Sequence, residues 1–275
     1  MANVPLNCEL LPDACDVVRT PSHFFNFVLL LSSMKILVIS DIHANLTALE
    51  AVFDDAGEYD AVWFLGDLVG YGPDPNECVE RVRELPDLVS LLGNHDAATL
   101  NQIEIVTFNP DARRAIEWTQ SVISPENLEY LAEIPETVQI GDVTLAHGSP
   151  RQPVWEYLLD SYTVTENFDY FDTPFCFVGH THLPVIYRMD DQHLLAERII
   201  PDLEMQLTLT PRLIVNPGSV GQPRDRNPRA SYAIYDTETH HWQFKRVPYD
   251  IKAVQERMRK FALPQRHINR LELGW

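Results

Sequence analysis

Ile36-Leu37-Val38-Ile39 runs into Asp41-Ile42-His43, Val62-Trp63-Phe64-Leu65 into Gly66-Asp67, and Leu88-Val89-Ser90-Leu91-Leu92 into Gly93-Asn94-His95-Asp96. Further on, Val143-Thr144-Leu145-Ala146 leads into His147-Gly148, and Phe175-Cys176-Phe177-Val178 into Gly179-His180-Thr181-His182. A short apolar run bounded by turn residues reads as a buried strand. Each of these five runs ends on carboxylate, imidazole or amide groups, side chains that hold metal ions. In an open α/β sheet the carboxyl ends of neighbouring strands are where sites form. The five blocks therefore read as one metal centre.

Spacing supports this. Asp41 to Asp67 is 26 residues and Asp67 to Asn94 is 27, about one strand, one helix and two turns. That is enough for a right-handed crossover between parallel strands. The intervening segments read as helices: Leu46, Leu49, Val52, Phe53 and Ala56 after an N-cap at Asn45, then Cys78, Val79, Val82 and Leu85 within Pro75–Leu85. The first three motifs are thus expected side by side on one sheet edge, as a two-metal hydrolase site.

Downstream, helices are expected over 110–121 and 125–132, each with Pro in its first turn. Strands are expected over 184–188, 213–215, 232–235 and 242–247, with a hairpin through 193–210 and a closing helix over 250–261. The aromatics of 148–174 (Trp155, Tyr157, Tyr162, Phe168, Tyr170, Phe171) are read as core or as a platform for a nucleobase. A βαβα half followed by a mostly β half predicts an α/β (α+β) fold, two mixed sheets packed face to face with helices outside.

The chain has 275 residues, with 40 acidic against 21 basic ones and a formal charge of −19. So acidic a surface repels nucleic-acid backbone and anionic membrane, which disfavours duplex binding. No run approaches the ~20 apolar residues of a membrane helix. Four cysteines without a CxxC pair suggest no disulfide framework and fit a reducing cytoplasm. Residues 1–33 precede the natural-looking start Met34-Lys35-Ile36-Leu37 and read as a dispensable extension, a targeting segment or a docked arm; the domain is expected over 34–275.

The ordered set Asp-x-His, Gly-Asp, Gly-Asn-His-Asp, His-Gly and Gly-His-Thr-His resembles the calcineurin-like metallophosphoesterase superfamily over essentially all of 35–250. The resemblance implies a four-layer αββα sandwich. It assigns Asp41, His43, Asp67 and His182 to one divalent metal, and Asp67, Asn94, His147 and His180 to a second, Asp67 bridging. Metals of +4 in total, two Asp and a bridging hydroxide leave about +1, attractive to a phosphate; such metals lower the pKa of bound water from 15.7 to about 7. Nitrogen and oxygen ligands without thiolate suit Mn most, with Fe, Ni or Zn as alternatives. By the same resemblance His95 contacts the phosphate and protonates the leaving oxygen, a task suited to a near-neutral pKa. Asp96 either orients His95 or caps the next helix. Scaffold relatives on this fold tend to lose that histidine.

The departures are informative. Protein serine/threonine phosphatases continue the second block as Gly-Asp-x-Val-Asp-Arg-Gly, whereas this chain has Gly66-Asp67-Leu68-Val69-Gly70-Tyr71-Gly72. The run Gly70-Tyr71-Gly72-Pro73-Asp74-Pro75, like Asn216-Pro217-Gly218-Ser219-Val220-Gly221-Gln222-Pro223-Arg224-Asp225, resembles a prokaryotic phosphodiesterase-like branch. Arg224 either reaches the substrate phosphate or braces its loop through Asp225, and Arg151 has similar options; Asn94 and His95 complete the substrate contacts. With Tyr71 in place of the arginine, a monoanionic diester is expected over a dianionic monoester. The alternatives are a protein phosphatase, a dinucleoside-polyphosphate hydrolase, or a silent scaffold. The partner is expected to be a small phosphoester, nucleotides included.

Overall fold

The computed structural model describes residues 33–189, 194–202 and 204–275. The first half alternates β1 (Lys35–Ile39), α1 (Leu46–Ala56), β2 (Ala61–Phe64), α2 (Pro75–Arg83), β3 (Leu88–Ser90) and the short α3 (Asn94–Thr99). Then follow α4 (Pro110–Val122), α5 (Pro125–Ala132), β4 (Thr137–Ile140), β5 (Val143–Ala146), α6 (Ser161–Asn167) and β6 (Phe175–Phe177). The rest is β7 (Val185–Arg188), β8 (Glu197–Ile199), β9 (Gln206–Thr208), β10 (Leu213–Asn216), β11 (Ala230–Asp236), β12 (His241–Val247), α7 (Ile251–Lys260) and α8 (Gln265–Leu273).

Two six-stranded mixed sheets result, ordered β3-β2-β1-β11-β12-β9 and β4-β5-β6-β10-β7-β8. Strands β1, β2 and β3 are parallel neighbours, so the first three motifs do emerge on one edge. The other two leave β5 and β6, parallel neighbours in the second sheet. Alternation along each strand builds the layers. On β1, Ile36 and Val38 face the second sheet, in one cluster with Leu145, Phe177, Val215 and Trp242. Leu37 and Ile39 face outward, against Leu49 and Val52 of α1 and Val79 of α2. On the far side, Ile214 packs with Val164, Phe168 and Phe171. The expected four-layer sandwich is therefore present.

Local chemistry sets the helix starts. The Asn45 side chain accepts the Ala48 N–H at 3.1 Å, and Asn109 and Ser124 cap α4 and α5 in the same way, with Pro following each of those two caps.

One expected element is corrected. Residues 193–210 hold no hairpin among the described residues: β8 pairs with β7 in the second sheet, and β9 with β12 in the first. The segment carries the chain from one sheet to the other, which neighbouring apolar runs alone do not reveal. The readings of residues 1–32 lie outside the described residues. No helix among them is long and apolar enough to cross a membrane.

Trp242 of the first sheet is fully buried, and its ring lies 4.7 Å from that of Phe177 in the second. Trp242→Ala is expected to destabilise the protein by about 3–5 kcal/mol, the usual cost of truncating a core aromatic. Trp242→Phe should cost less, because the buried indole nitrogen has no hydrogen-bond partner to lose. Chemical denaturation measures both; equal losses would mean that ring volume is not what joins the sheets.

Candidate metal centre

The loops after the five strands are stitched together before any side chain is considered. Asp41 and His43 donate their N–H groups to the carbonyls of Gly66 and Asp67, each at 3.0 Å, and Gly179 donates to His147 at 2.8 Å. The loop after β10 joins the sheets: Val220 and Gly221 donate to the carbonyls of Ser40 and Asp41 at 2.9 Å. These close turns force left-handed backbone. Asp41, His43, Asp67, His180 and His182 all have φ between 49° and 64°. Such conformations cost about 1–3 kcal/mol each in non-glycine residues and cluster at functional sites.

The side chains converge. Asp41, His43, Asp67 and His182 bring one donor atom each to within 4.8 Å of one another, as do Asp67, His147 and His180. Asp67 Oδ2 lies 3.5 Å from His43 Nε2 and 3.4 Å from His147 Nε2, so one oxygen faces both groups. Its other oxygen accepts the His95 backbone N–H at 2.8 Å. Asn94 Oδ1 sits 3.3 Å from His147 Nε2. A side chain at Gly93 would collide with the Asp67 carboxylate, which explains the glycine there.

The tautomers follow from the backbone. His43, His147 and His182 turn Nδ1 to the carbonyls of Val69, Leu65 and Gln222 at 3.2, 2.7 and 2.5 Å. A carbonyl only accepts, so each Nδ1 carries the proton, as in the outer sphere of metal-bound histidines. His180 is reversed: Nε2 donates to Trp155 O at 3.1 Å, leaving Nδ1 for the centre. Burial, the dominant cause, holds His43, His180 and His182 well below the usual histidine range, so they are neutral. Two lone pairs, on His43 Nε2 and His182 Nε2, then face each other at 3.1 Å with no proton between them. Beside them Asp41 Oδ1, 3.3 Å from His182 Nε2, is buried without a hydrogen-bond partner. Only a cation turns that arrangement from repulsive to attractive, and the residues fit a metal ion.

The second group is relieved differently. Burial opposes a charge on His147, but Asp67 outweighs it and pushes the imidazole up to about 9. Burial likewise lifts Asp41 to about 7, against the pull of His147.

The other expected site residues divide. His95 is buried, its ring 4.9 Å from that of His43. Burial lowers its pKa to about 4, so the near-neutral value expected from the sequence is not met in the protein alone. Asp96 does not orient His95. As the third residue of α3 it takes the N–H groups of Leu68, Val69 and Gly93 at 3.0–3.1 Å and locks the loops after β2 and β3 together. Arg224 is not braced by Asp225, which pairs with Arg246; its guanidinium lies 5.8 Å from the Tyr71 ring centroid. Arg151 is committed to ion pairs with Glu156 and Glu166. Of the aromatics, Phe168 and Phe171 are core, Trp155 packs on Phe108, and Tyr157 stacks on His180 at 3.7 Å.

Two residues near the site escaped sequence reasoning. His267 and Arg270 arrive on α8, which follows the expected closing helix. Their signal was there: Ile268 and Leu271 share a buried face with His267.

Residues 34–240 match the family model described as the calcineurin-like phosphoesterase superfamily domain. A solved metallophosphoesterase of Sphaerobacter thermophilus is 47% identical with a TM-score of 0.82, over 89% of this chain and 100% of that one. An uncharacterised protein of Methanocaldococcus jannaschii is 41% identical over 87% of this chain and 98% of its own length. A symmetrical bis(5'-nucleosyl)-tetraphosphatase of Erwinia tasmaniensis is 42% identical over 130 residues, 45% of this chain and 47% of that protein.

Asp67→Asn is expected to lower bound divalent metal and abolish turnover; full occupancy by elemental analysis would contradict the bridging role. Metal affinity should rise as pH climbs through the range from about 7 to about 9, where Asp41 and His147 lose the protons that a metal must displace. Calorimetric titration with manganese at pH 7 in two buffers of different ionisation heat should reveal proton release, and identical heats would count against it.

Proposed function

The chain belongs to the calcineurin-like phosphoesterase superfamily, and on that footing we propose that it is a dinuclear-metal-dependent hydrolase of small phosphoesters, acting on phosphorus with two bridging oxygens. The observation that carries the reading is the pair of apposed imidazole lone pairs beside the unpartnered Asp41 oxygen, a geometry that asks for cations. Asp41, His43, Asp67 and His182 would hold one ion, and Asp67, Asn94, His147 and His180 the other. Manganese is the favoured metal on donor chemistry. When bound, such ions polarise the phosphoryl oxygen and supply a nucleophile from water at neutral pH.

The protein's own groups then divide the remaining work. His95, neutral in the free protein, offers one imidazole N–H to the leaving oxygen. The negative charge of a bound phosphate raises its proton affinity, so its acid role starts with the substrate. Its place is set by the backbone N–H to Asp67 and by Tyr71 and Phe108, whose rings lie 4.2 and 5.2 Å from its own. Asp96 contributes by fixing the backbone around Asp67. Tyr71 is an uncharged ring beside His43 and His95, where the protein phosphatases have arginine. Arg151 being committed elsewhere, the reacting phosphate meets one guanidinium, Arg224. That balance favours a monoanionic diester or anhydride phosphorus over a monoester dianion. A second reading, hydrolysis of dinucleoside polyphosphates, draws on the tetraphosphatase relatives; their internal phosphates also carry two bridging oxygens.

His95→Ala is expected to keep both metals and the fold but to lose about 10²–10⁴-fold in kcat, the usual worth of general acid catalysis. The loss should shrink for nitrophenolate, which leaves without a proton; equal losses for nitrophenolate and alkoxide would exclude the acid role. Wild type should cleave bis(4-nitrophenyl) phosphate with higher kcat/KM than 4-nitrophenyl phosphate, by roughly 10- to 150-fold if one charged hydrogen bond decides. A monoester preference would show that Arg224 restores what Tyr71 lacks.

A further inference from the structure

Beside the metal centre lies a second polar cluster that the chemistry at His95 does not use. The Tyr71 ring has the His95 ring 4.2 Å away and the His267 ring 4.4 Å away. The Gln222 side-chain oxygen accepts from Arg224 at 3.0 Å and from Arg270 at 3.2 Å, while its backbone carbonyl holds His182. Two guanidiniums therefore share one neutral oxygen. The Nε atoms of both arginines and both ring nitrogens of His267 are buried without a hydrogen-bond partner, and His267 is only 1% exposed. Among the described residues neither arginine is paired with a carboxylate, and the nearby Asp225 is taken by Arg246.

The rest of the molecule makes this unusual. With 40 acidic and 21 basic residues, a carboxylate partner is abundant almost anywhere. Here two like charges are held together with no carboxylate in ion-pair contact among the described residues; burial and the proximity of Arg224 lower Arg270 to about 10, against the pull of the more distant Asp111. Arg270 remains charged at neutral pH. Guanidinium forks match phosphate oxygens in pairs, and an anion would satisfy the stranded donors together.

We propose that Arg270 and His267 form a subsite for a second phosphate group of the substrate, next to the phosphate that reacts, with Arg224 shared between the two phosphates. The proposal rests on the phosphoester-hydrolase reading and narrows its substrate class to molecules with two neighbouring phosphates. The second phosphate lies either in a polyphosphate chain or on the sugar of a nucleotide.

The test compares wild type and Arg270→Gln with manganese on a dinucleoside tetraphosphate and on bis(4-nitrophenyl) phosphate, which has a single phosphate. The ratio of the two kcat/KM values is expected to fall about 10- to 100-fold in the variant, the scale of one charged hydrogen bond. Equal losses on both substrates would overturn the subsite. Binding reads it independently of turnover. In titration calorimetry, wild type should bind inorganic pyrophosphate or adenosine 3',5'-bisphosphate at least tenfold more tightly than orthophosphate, and Arg270→Gln should lose that margin. A margin for pyrophosphate identifies a chain phosphate, one for the bisphosphate a sugar phosphate, and none for either refutes the proposal. Absent turnover with an intact margin would defeat the hydrolase reading alone. If Arg270→Gln melts early, His267→Asn carries the same measurements.

Discussion

One carboxylate oxygen fixes the geometry of the site. Asp67 leaves the end of β2 in the first sheet, and its Oδ2 stands 3.5 Å from His43 of the same sheet and 3.4 Å from His147 of the other. The remaining oxygen is tied to the backbone of α3. Everything around it serves that placement. Asp96 clamps the Asp67 loop to Gly93 through backbone N–H groups, and the loop after β10 ties Ser40 and Asp41 to the second sheet. The sandwich brings two sets of strand ends together, and Asp67 is where they meet.

Such a centre opposes folding on its own. Five residues of the candidate centre sit in left-handed backbone, and neutral imidazoles, carboxylates and an amide are buried at essentially zero exposure. Burying polar groups without compensation costs free energy, and so does each strained residue. The backbone carbonyls that orient the histidines offset part of this cost, and cations that bind the folded site add stability in proportion to their affinity. Any cation that the folded site binds is thus expected to raise stability, whereas the neutral state of three histidines comes from burial.

Much of this was legible in the sequence, for a physical reason. Parallel strands buried on both faces must be short apolar runs, and a ligand set spread over five strand ends leaves repeated punctuation such as Gly66-Asp67 and Gly179-His180-Thr181-His182. The two crossover spacings and most helices followed from the same patterning. What sequence could not reveal was pairing across long separations: β8 and β9 look like a hairpin until their partners are known to lie in opposite sheets. Nor could it distinguish Asp96 as an orienter from Asp96 as a helix cap, or reveal that its carboxylate also clamps the loop after β2. Arg151 looked like a phosphate ligand by its nearness to His147 in sequence, but Glu156 and Glu166 lie closer in space. From the sequence His267 reads only as a surface or packing residue, and Arg270 carries no reading, because a lone histidine and arginine on an amphipathic helix carry no motif. Their meaning comes only from Tyr71 and Gln222, which the fold places beside them.

The central claim, a two-ion centre shared between the sheets through Asp67, is tested most directly by anomalous diffraction from crystals grown with manganese. Two strong peaks are expected, one against His43 Nε2, His182 Nε2 and Asp41, the other against His147 Nε2, His180 Nδ1 and Asn94 Oδ1, with Asp67 Oδ2 between them. A single peak, or peaks confined to exposed carboxylates, would contradict it.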